Sequence, residues 1–467
     1  MIKIRDSRAV DKDKIRLESF FDIGFIPCHN LCILVCFSSK SRNIKHMNKK
    51  NIFYAQSGGA TAVINATACG VIQTAAKYPY QINKVLAGRN GIVGALKEEL
   101  IDTSLESPEA LAALRYTPSS AFGSCRYKLA DIDKDCRQYK RLIDVFKTHH
   151  IGYIFYNGGG DSQDTTHKLS QLSKAMHYPM VCIGIPKTID NDLPFTDSCP
   201  GFGSVAKYVA ISTQEAALDI RGMAVHSTKV FILEVMGRHT GWIAASAALG
   251  KRQSNDPPHI ILFPEVPFQT KVFLAKVKKS IDKEGYCVIV ASESIRHPDG
   301  HLIAESGLRD AFGHEQLGGV APVLARLIKK NLNLKYHWAV ADYLQRAARH
   351  IASQTDLDQA YALGKAAVEY ALSGQSDVML TIQREKNVPN YQWSIGTAPL
   401  SAVANIECKM PRNYISDDGF DITEPCRAYL EPLIQGEAYP PYKRGMPDYI
   451  TLKNHLLKKK LKEAFEI

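Results

Sequence analysis

The sequence predicts an α/β protein with two domains, each built on a mostly parallel β-sheet. Three observations predict this fold class. Short apolar strands alternate with amphipathic helices from residue 51 onward, glycine-containing turns separate several strands from the following helices, and the chain of 467 residues is long enough for two or three domains. Its composition, 45% hydrophobic and 22% charged, is that of a globular protein with sizeable cores.

The first domain is expected over residues 51–196. Its apolar runs typical of strands are NIFYAQ (51–56), KVLAGR (84–89), GYIFYN (152–157) and MVCIGIP (180–186). Segments with apolar residues at helical spacing follow at 62–77, 141–151 and 165–176. We expect the chain to return to this domain near residues 338–380.

The second domain is expected over residues 197–337. Its predicted strands are KVFILEVMG (229–237), HIILFPEV (259–266) and YCVIVASES (286–294). Its predicted helices are at 204–220, 240–250 and 271–285. Two such domains predict a ligand site in the cleft between them.

The two ends of the chain differ from this body. Residues 1–50 form an extension of mixed charge without clear periodicity. We interpret residues 1–46 as a stretch of little consequence rather than an ordered extension, so a chain starting at Met47 should keep its folding and activity. Residues 381–467 are expected to form an irregular C-terminal extension. It ends in a predicted amphipathic basic helix, HLLKKKLKEAF (455–465), whose polar face is expected to be solvated rather than bound to a membrane.

The charge distribution argues against a nucleic-acid partner. The net charge of +11 is concentrated at the ends, with +6 in residues 1–50 and +4 in residues 443–467, so the body is almost neutral. No apolar run is long enough to span a membrane, and no signal peptide is recognisable.

The cysteines indicate a reducing compartment. Their number is odd, 11, and no Cys-x-x-Cys pair occurs, so we expect a cytoplasmic protein without a disulfide framework. Cys28, Cys32 and Cys36 are interpreted as small apolar residues rather than metal ligands, because no histidines lie at ligand spacing.

Two glycine-rich turns follow predicted strands. Gly58 and Gly59 open one helix, and the run Gly158–Ser162 opens another. Backbone N–H groups at such helix starts favour an anion, and the guanidinium of Arg126 suits phosphate oxygens. The second turn carries Asp161, a carboxylate where an anion would be expected to bind. Tight turns need glycine in any case, so either turn alone is weak evidence.

A sharper motif is GIPKTIDND at 184–192. In an extended stretch Asp190 and Asp192 face the same side. Two carboxylates so close need a reason, such as a magnesium ion or a substrate proton to be removed. The alternative is an aspartate- and asparagine-rich turn without catalytic function.

The motifs, taken in order, resemble those of the phosphofructokinases. They are GIPKTIDND, PGFGSVAKY (200–208), MGRHTG (236–241), SES (292–294) and YLQR (343–346), and the resemblance covers residues 51–350. It implies two Rossmann-like domains with the active site in the cleft between them. It also implies a phosphotransferase that phosphorylates the 1-hydroxyl of fructose 6-phosphate, in a homo-oligomer, a dimer or tetramer.

The resemblance also assigns roles to residues. Asp190 resembles the general base, with Lys187, Thr188 and Asp192 beside it as further catalytic residues. Lys229 stands where the family has a basic residue that often reaches the sugar phosphate across a subunit boundary, and Tyr343 and Arg346 resemble the residues that hold the 6-phosphate. The substrate-binding residues implied in this way are Thr188, Asp190, Lys229, Met236, Gly237, Arg238, Glu293, Tyr343 and Arg346.

The second glycine turn indicates which compound donates the phosphoryl group. ATP-dependent members read Gly-Gly-Asp-Gly-Ser here, whereas this chain has Gly160 in place of the aspartate and Asp161 in place of the last glycine. In the motif that precedes Asp190, this chain has Lys187 where ATP-dependent members have a glycine. Both changes resemble the pyrophosphate-dependent branch, because Asp161 would oppose the α-phosphate of ATP and Lys187 would serve a smaller donor. The implied pyrophosphate-binding residues are Gly58, Gly59, Arg126, Gly159, Gly160, Asp161 and Ser162.

The cofactor implied is Mg²⁺. With Gly160 at the usual aspartate position, Asp161 is the expected ligand, and Asp164 and Asp192 are further candidates. Two alternative functions stay open: an ATP-dependent phosphofructokinase, and a non-catalytic regulatory subunit that binds a sugar phosphate. An assay with both donors separates them.

Overall fold

The fold is given by a computed structural model, which describes residues 49–131, 134–304 and 319–467. These residues belong to one compact unit, Met47–Ile467. The interpretations of residues 1–46 and of their three cysteines lie outside the described ranges. The strands, in chain order, are β1 (Lys50–Gln56), β2 (Ile82–Gly88), β3 (Leu100–Asp102), β4 (Ile151–Gly158), β5 (Val181–Pro186), β6 (Val230–Val235), β7 (Ile260–Leu262), β8 (Cys287–Ser292), β9 (Tyr336–Val340), β10 (Val378–Arg384), β11 (Trp393–Pro399), β12 (Tyr442–Lys443) and β13 (Met446–Pro447).

The helices fall between these strands and after them. They are α1 (Ile64–Ala75), α2 (Ile92–Leu96), α3 (Pro108–Ala113), α4 (Cys136–Thr148), α5 (Gly160–Ala175), α6 (Phe202–Met223), α7 (Trp242–Ser246), α8 (Thr270–Glu284), α9 (Val320–Leu332), α10 (Asp342–Ala347), α11 (Gln354–Leu372), α12 (Leu400–Val403) and α13 (Glu424–Leu430). Within the described ranges, no helix combines the length and the apolar composition that a membrane crossing requires.

The larger sheet has the strand order β11-β10-β5-β4-β1-β2-β3. Its five central strands are parallel, and the two edge strands, β3 and β11, pair antiparallel with their neighbours. Strands β4 and β5 are almost completely buried apolar runs, as expected for parallel strands covered on both faces. Strands β10 and β11 lie in this sheet, so the chain continues in it beyond residue 380, where the C-terminal extension was expected to begin.

The smaller sheet has the order β7-β8-β6-β9, with every neighbouring pair parallel. The predicted α/β fold with two mostly parallel sheets is therefore confirmed. The exact domain boundaries stay predictions, because the whole of Met47–Ile467 forms one compact unit.

Helices α1 and α11 pack closely on the larger sheet. A side chain at Gly70 in α1 would overlap the backbone of Tyr361, and one at Gly364 in α11 would overlap the backbone of Thr67. Both helices contribute buried side chains to the same core as strands β1, β5 and β10. These two glycines therefore let α1 sit directly on a helix about 300 residues later in the chain. Helix α1 begins at Ile64, five residues after Gly59, and not at the first glycine turn itself.

The helix predicted at 455–465 is wrong, because none of these residues is helical and the segment pairs with β3 instead. Leu456 forms an antiparallel bridge with Ile101 in β3, the Leu457 N–H donates to the Leu100 carbonyl (2.8 Å), and the Asp102 N–H donates to the His455 carbonyl (2.9 Å). Leu457, Leu461 and Phe465 still pack against a buried core. An edge strand that needed backbone partners has overridden the helical spacing of these apolar residues.

Candidate active site

The candidate site lies where strands of both sheets end. Gly59 follows β1, Gly159 follows β4, Lys187 follows β5, Met236 follows β6 and Glu293 follows β8, and all five line one cleft of about 340 Å³. Ligands of parallel α/β sheets bind outside the carboxyl ends of the strands. The fold thus brings together turns that are far apart in sequence.

Most of the site residues predicted from the sequence line this cleft. Those that do are Gly58, Gly59, Arg126, Gly159, Gly160, Asp161, Ser162, Lys187, Thr188, Asp190, Asp192, Met236, Arg238, Glu293 and Arg346. Gly237, Lys229 and Tyr343 are not among the lining residues.

The first glycine turn makes room for two cations. Gly58 has φ +76°, in the left-handed region that favours glycine, and the carbonyl of its neighbour Gly59 accepts a hydrogen bond from Nζ of Lys187 (2.8 Å). A side chain at Gly59 would lie 2.7 Å from Nη1 of Arg346. The absence of side chains here lets the lysine and the arginine reach the cleft.

Lys187 is almost completely buried, with 4% of its surface exposed. Burial lowers the pKa of its ammonium group to about 8, an effect that Asp190 opposes and that Arg346 and Arg126 reinforce. A buried cation with cationic neighbours is costly unless an anion is bound beside it. The donor side of the cleft is therefore built for an anion.

The second glycine turn starts helix α5. Gly159 is the residue before the helix, Gly160 begins it, and Asp161 lies in its first turn. The Asp161 side chain is 30% exposed, and its Oδ1 lies 3.4 Å from Nζ of Lys128. The carboxylate therefore projects at the start of a helix, in the same cleft as Lys187.

Residues 187–192, which we call the catalytic loop because it carries the predicted base Asp190, are held by their own hydrogen bonds. The Thr188 hydroxyl donates to Oδ2 of Asp190 (3.2 Å), and the Asp190 N–H donates back to the Thr188 hydroxyl oxygen (3.1 Å). Burial raises the pKa of Asp190, while Thr188 and the charge of Arg238 lower it. Burial and the charges of Asp190 and Glu407 raise the pKa of Asp192 to about 7.

The sugar side is shaped around Gly237. Its φ is +138°, and a side chain there would lie 2.7 Å from the Thr240 carbonyl. The Gly237 N–H donates to Oε1 of Glu293 (3.2 Å), and the Ser292 hydroxyl donates to the Gly237 carbonyl (3.0 Å). Burial and the charge of Asp190 raise the pKa of Glu293 to about 7. Gly237 thus fixes the turn that carries Met236 and Arg238, which line the cleft.

Two predicted sugar-phosphate residues lie outside the cleft. Lys229 immediately precedes β6, at the amino end of the strand, and its Nζ donates to the Val225 carbonyl (3.4 Å). Tyr343 is 60% exposed, and its ring stacks on the guanidinium of Arg346, with Cζ of Arg346 3.8 Å from the centroid of the tyrosine ring. Arg346 itself lies against Gly59, on the donor side. The roles of these residues toward the 6-phosphate stay predictions.

The sequence interpretation missed several lining residues. They are Ser57, Ala60, Lys128, Ile189, Leu193, Asn405, Ile406 and Glu407. Lys128 lies two residues after Arg126, so an alternating pattern could have suggested it. Residues 405–407 follow no recognisable motif and come more than 200 residues after the catalytic loop, so only the fold reveals them.

The metal candidates differ in their position. Among the described residues, no group of three or more His, Cys, Asp or Glu side chains is arranged to hold a metal ion. Asp161 and Asp192 line the cleft. Asp164 does not, because its carboxylate contacts Nζ of Lys168 (3.0 Å) and Nδ2 of Asn405 (3.1 Å). A metal ion here would therefore need oxygen ligands from the substrate in addition to one or two carboxylates.

Comparison with known proteins adds relatives. A sequence model described as phosphofructokinase matches residues 51–371. The chain is 61% identical over 421 residues to the pyrophosphate–fructose 6-phosphate 1-phosphotransferase of Methylococcus capsulatus, covering 90% of this chain and 100% of that protein. A solved structure, the pyrophosphate-dependent phosphofructokinase from Marinobacter aquaeolei, matches with a TM-score of 0.82 and 61% identity, over 90% of this chain and 100% of that one. The corresponding protein from Nitrosospira multiformis matches with a TM-score of 0.83 and 58% identity, over 89% and 100%.

Proposed function

The chain belongs to the phosphofructokinase family, and we infer that it is a pyrophosphate-dependent phosphotransferase. It transfers a phosphoryl group from pyrophosphate to the 1-hydroxyl of fructose 6-phosphate, giving fructose 1,6-bisphosphate and phosphate, and the reaction is reversible. Relatives named pyrophosphate–fructose 6-phosphate 1-phosphotransferase are 55–61% identical to the chain over most of its length. The two solved structures above are named pyrophosphate-dependent phosphofructokinases.

The observation that carries the choice of donor is that Asp161 and Lys187 line the same cleft. Asp161 at the start of α5 opposes, by bulk and by negative charge, a donor that continues into an α-phosphate. Lys187 offers a buried positive charge that a compact anion can approach. Pyrophosphate ends before it reaches the carboxylate, so it gains the lysine without meeting the aspartate.

The donor is held by cations and by backbone N–H groups. The N–H groups at the start of α5 point toward the anion, as at other phosphate-binding helix starts. Arg126, Lys187 and Arg346 surround the same space, and each lowers the cost of bringing a multiply charged donor into the cleft. Because these groups are in place before the donor binds, little reorganisation is needed during transfer.

Asp190 acts as the general base. It accepts the proton of the 1-hydroxyl while that oxygen forms a bond to phosphorus and the bridging P–O bond of pyrophosphate breaks. The bonding electrons leave with the released phosphate, whose charge Lys187 balances. Burial raises the pKa of Asp190 toward a value suited to accepting a proton, and Thr188 orients its carboxylate.

The sugar is positioned by the segment after β6 and by β8. Met236 and Arg238 line the cleft beside Asp190, and Glu293 lines it after β8. A carboxyl group with a pKa of about 7 can exchange hydrogen bonds with sugar hydroxyls in either protonation state. Lys229 and Tyr343 are assigned to the 6-phosphate only by the resemblance to the family.

We further propose that Mg²⁺ is held by Asp161, with Asp192 as the other available carboxylate. Both line the cleft, and Mg²⁺ commonly takes one or two carboxylates together with phosphate oxygens and waters. When bound, the ion neutralises charge on the donor.

The assembly and the compartment are proposed as well. A homo-oligomer is supported by the position of Lys229, which lies outside its own cleft and can face a second copy of the chain. A cytoplasmic location is supported by the cysteines of the described ranges, all of which are free thiols.

A coupled assay with both donors tests the function. The wild-type chain is expected to turn over fructose 6-phosphate with pyrophosphate and hardly with ATP. Turnover with ATP alone would favour the ATP-dependent alternative. Binding of fructose 6-phosphate without turnover by either donor would favour a regulatory subunit.

A further inference from the structure

Residues 405–408, which we call the strap, form part of the cleft wall. The strap follows α12 and lies beyond residues 51–371, the part of the chain that matches the phosphofructokinase family. Asn405, Ile406 and Glu407 line the same cleft as the catalytic loop. None of the motifs that identify the site includes these residues.

The strap is fastened to the donor side and to the catalytic loop. Nδ2 of Asn405 donates to Oδ1 of Asp164 (3.1 Å), which lies in α5 one turn after Asp161. The Cys408 N–H donates to the Asp192 carbonyl (2.6 Å). The two ends of the strap are therefore held by the two segments that surround the pyrophosphate site.

Between these ends, Glu407 contacts the sugar side. Its two carboxylate oxygens lie 2.8 and 2.9 Å from Nδ1 of His239. His239 directly follows Arg238, and the next residue, Thr240, donates its hydroxyl hydrogen to the Asp190 carbonyl (2.9 Å). Hydrogen bonds thus join each pair among three segments: the catalytic loop, the strap, and residues 236–240, which we call the sugar-binding segment.

This contact is better suited to positioning than to stability. The side chains of His239 and Glu407 are 37% and 45% exposed, and even a fully charged pair with that exposure contributes little to the stability of the fold. However, the pair fixes the residue next to Arg238 against the strap. The charge of Glu407 also acts on the catalytic loop, where it contributes to the raised pKa of Asp192.

We propose that the strap is a third wall of the active site and that Glu407 is a positioning residue, which holds the sugar-binding segment in place through His239. The proposal rests on the proposed function, because it takes fructose 6-phosphate as the ligand of that segment. Without the carboxylate, residues 236–239 lose their tie to the strap. The free enzyme then has to order this segment when the sugar binds, so sugar affinity falls.

The test compares Glu407→Ala, Glu407→Asp, His239→Ala and the double variant that carries both alanine substitutions with the wild type. Glu407→Ala and His239→Ala should each raise the Michaelis constant for fructose 6-phosphate about three- to tenfold and leave kcat within about twofold. The effect of the double variant should equal that of one single change, because both remove the same contact. Glu407→Asp should recover part of the affinity.

Glu431→Ala is the matched control. Glu431 is 51% exposed and pairs with Arg427 at 3.4 Å, so this variant loses a comparably exposed side-chain contact outside the cleft. Calorimetric titration of fructose 6-phosphate without a donor, and of pyrophosphate without the sugar, separates the two sites. Only sugar binding should weaken in the Glu407→Ala protein, at an unchanged melting temperature.

An unchanged sugar affinity in Glu407→Ala would overturn the proposal. So would an equal loss in Glu431→Ala, or an equal loss of pyrophosphate and sugar binding. In each case a wild type that turns over pyrophosphate leaves the proposed function intact. A wild type that binds the sugar but shows no turnover with pyrophosphate would instead remove the proposed function, and the calorimetric comparison of the variants would still judge the strap.

Discussion

The two halves of the cleft carry opposite charge. The donor half, around Gly59, holds Lys187 and Arg346, whereas the sugar half holds Asp190 and Glu293. Burial lowers the pKa of Lys187 to about 8 and raises that of Glu293 to about 7. In both halves the charged form is therefore disfavoured until a ligand arrives, but the ligands that relieve it differ.

The difference teaches how one loop serves two substrates. Lys187 and Asp190 are three residues apart after β5, and each acts on the pKa of the other. In the proposed reaction the lysine faces the phosphate that leaves, and the aspartate faces the hydroxyl that attacks. Each half also holds a group of the other charge, Arg238 beside the carboxylates and Asp161 beside the cations, and we propose that Asp161 limits the size of the donor.

The largest effect is expected for Asp190, the proposed general base in the sugar half. Asp190→Asn should lower kcat about 10²- to 10⁴-fold, the usual contribution of a general base, with a smaller change in sugar affinity. Steady-state kinetics with pyrophosphate measure both quantities. A variant with wild-type kcat would show that the carboxylates of this half only shape the sugar site.

The donor half is tested by Lys187→Gly. Loss of a preorganised charge at the transferring group should lower kcat with pyrophosphate on the order of 10²-fold, and the Michaelis constant for the sugar should change less. Lys128→Gly is a suitable control, because Lys128 lines the same cleft but its side chain is 48% exposed. Equal losses in the two variants would mean that net charge, rather than the buried lysine, matters.

The pH dependence should separate the halves further. Lys187 carries its charge below its pKa of about 8 and loses it as the pH rises through that value. In consequence, kcat/KM for pyrophosphate should fall about tenfold for each pH unit well above 8. Lys187→Arg, if active, should remove this decline because a guanidinium stays charged. A decline that persists unchanged in the arginine variant would assign it to another group.

The smallest effect is expected at Asp161, the carboxylate in the cationic half. Asp161→Gly should raise kcat/KM for ATP about tenfold, because it removes bulk and like charge without adding a contact and leaves Asp192 to hold Mg²⁺. The measurement is a donor comparison across the wild type, this variant, Lys187→Gly and the double variant. If ATP binding is not gained at all, the carboxylate is not what excludes ATP, although the family assignment is unaffected.

Much of the fold and the site could be predicted, because the signals are local. Strands β4 and β5 are continuous apolar runs followed directly by polar or glycine motifs, so the strand, its end and the side chains beyond it can be located together. The carboxyl ends of parallel strands then meet at one edge. For that reason the sequence alone predicts that Asp161, Lys187 and Asp190 share one cleft.

The errors and omissions depend on long-range contacts. The contact of Arg346 with Gly59 comes from the packing of its segment and could not be predicted, and its role toward the sugar phosphate stays a prediction. Glu407 could not be found because its partner, His239, lies 168 residues earlier in the chain. The segment 455–465 has apolar residues at a spacing that fits a helix, and only its pairing with the edge of β3 overrides that spacing.

The pairing of this last segment with β3 has a consequence for protein synthesis. Glu98, just before β3, is buried and accepts the N–H of Lys460 (2.7 Å), which is made 362 residues later. At 5–20 residues per second, a ribosome needs roughly 20–70 s to cover that distance. During this time the backbone groups of β3 that pair with residues 455–457 have no partner from that segment, and open sheet edges of this kind favour edge-to-edge association. A prematurely terminated chain would keep that edge exposed permanently, so aggregation, rather than loss of catalysis, should be its first defect.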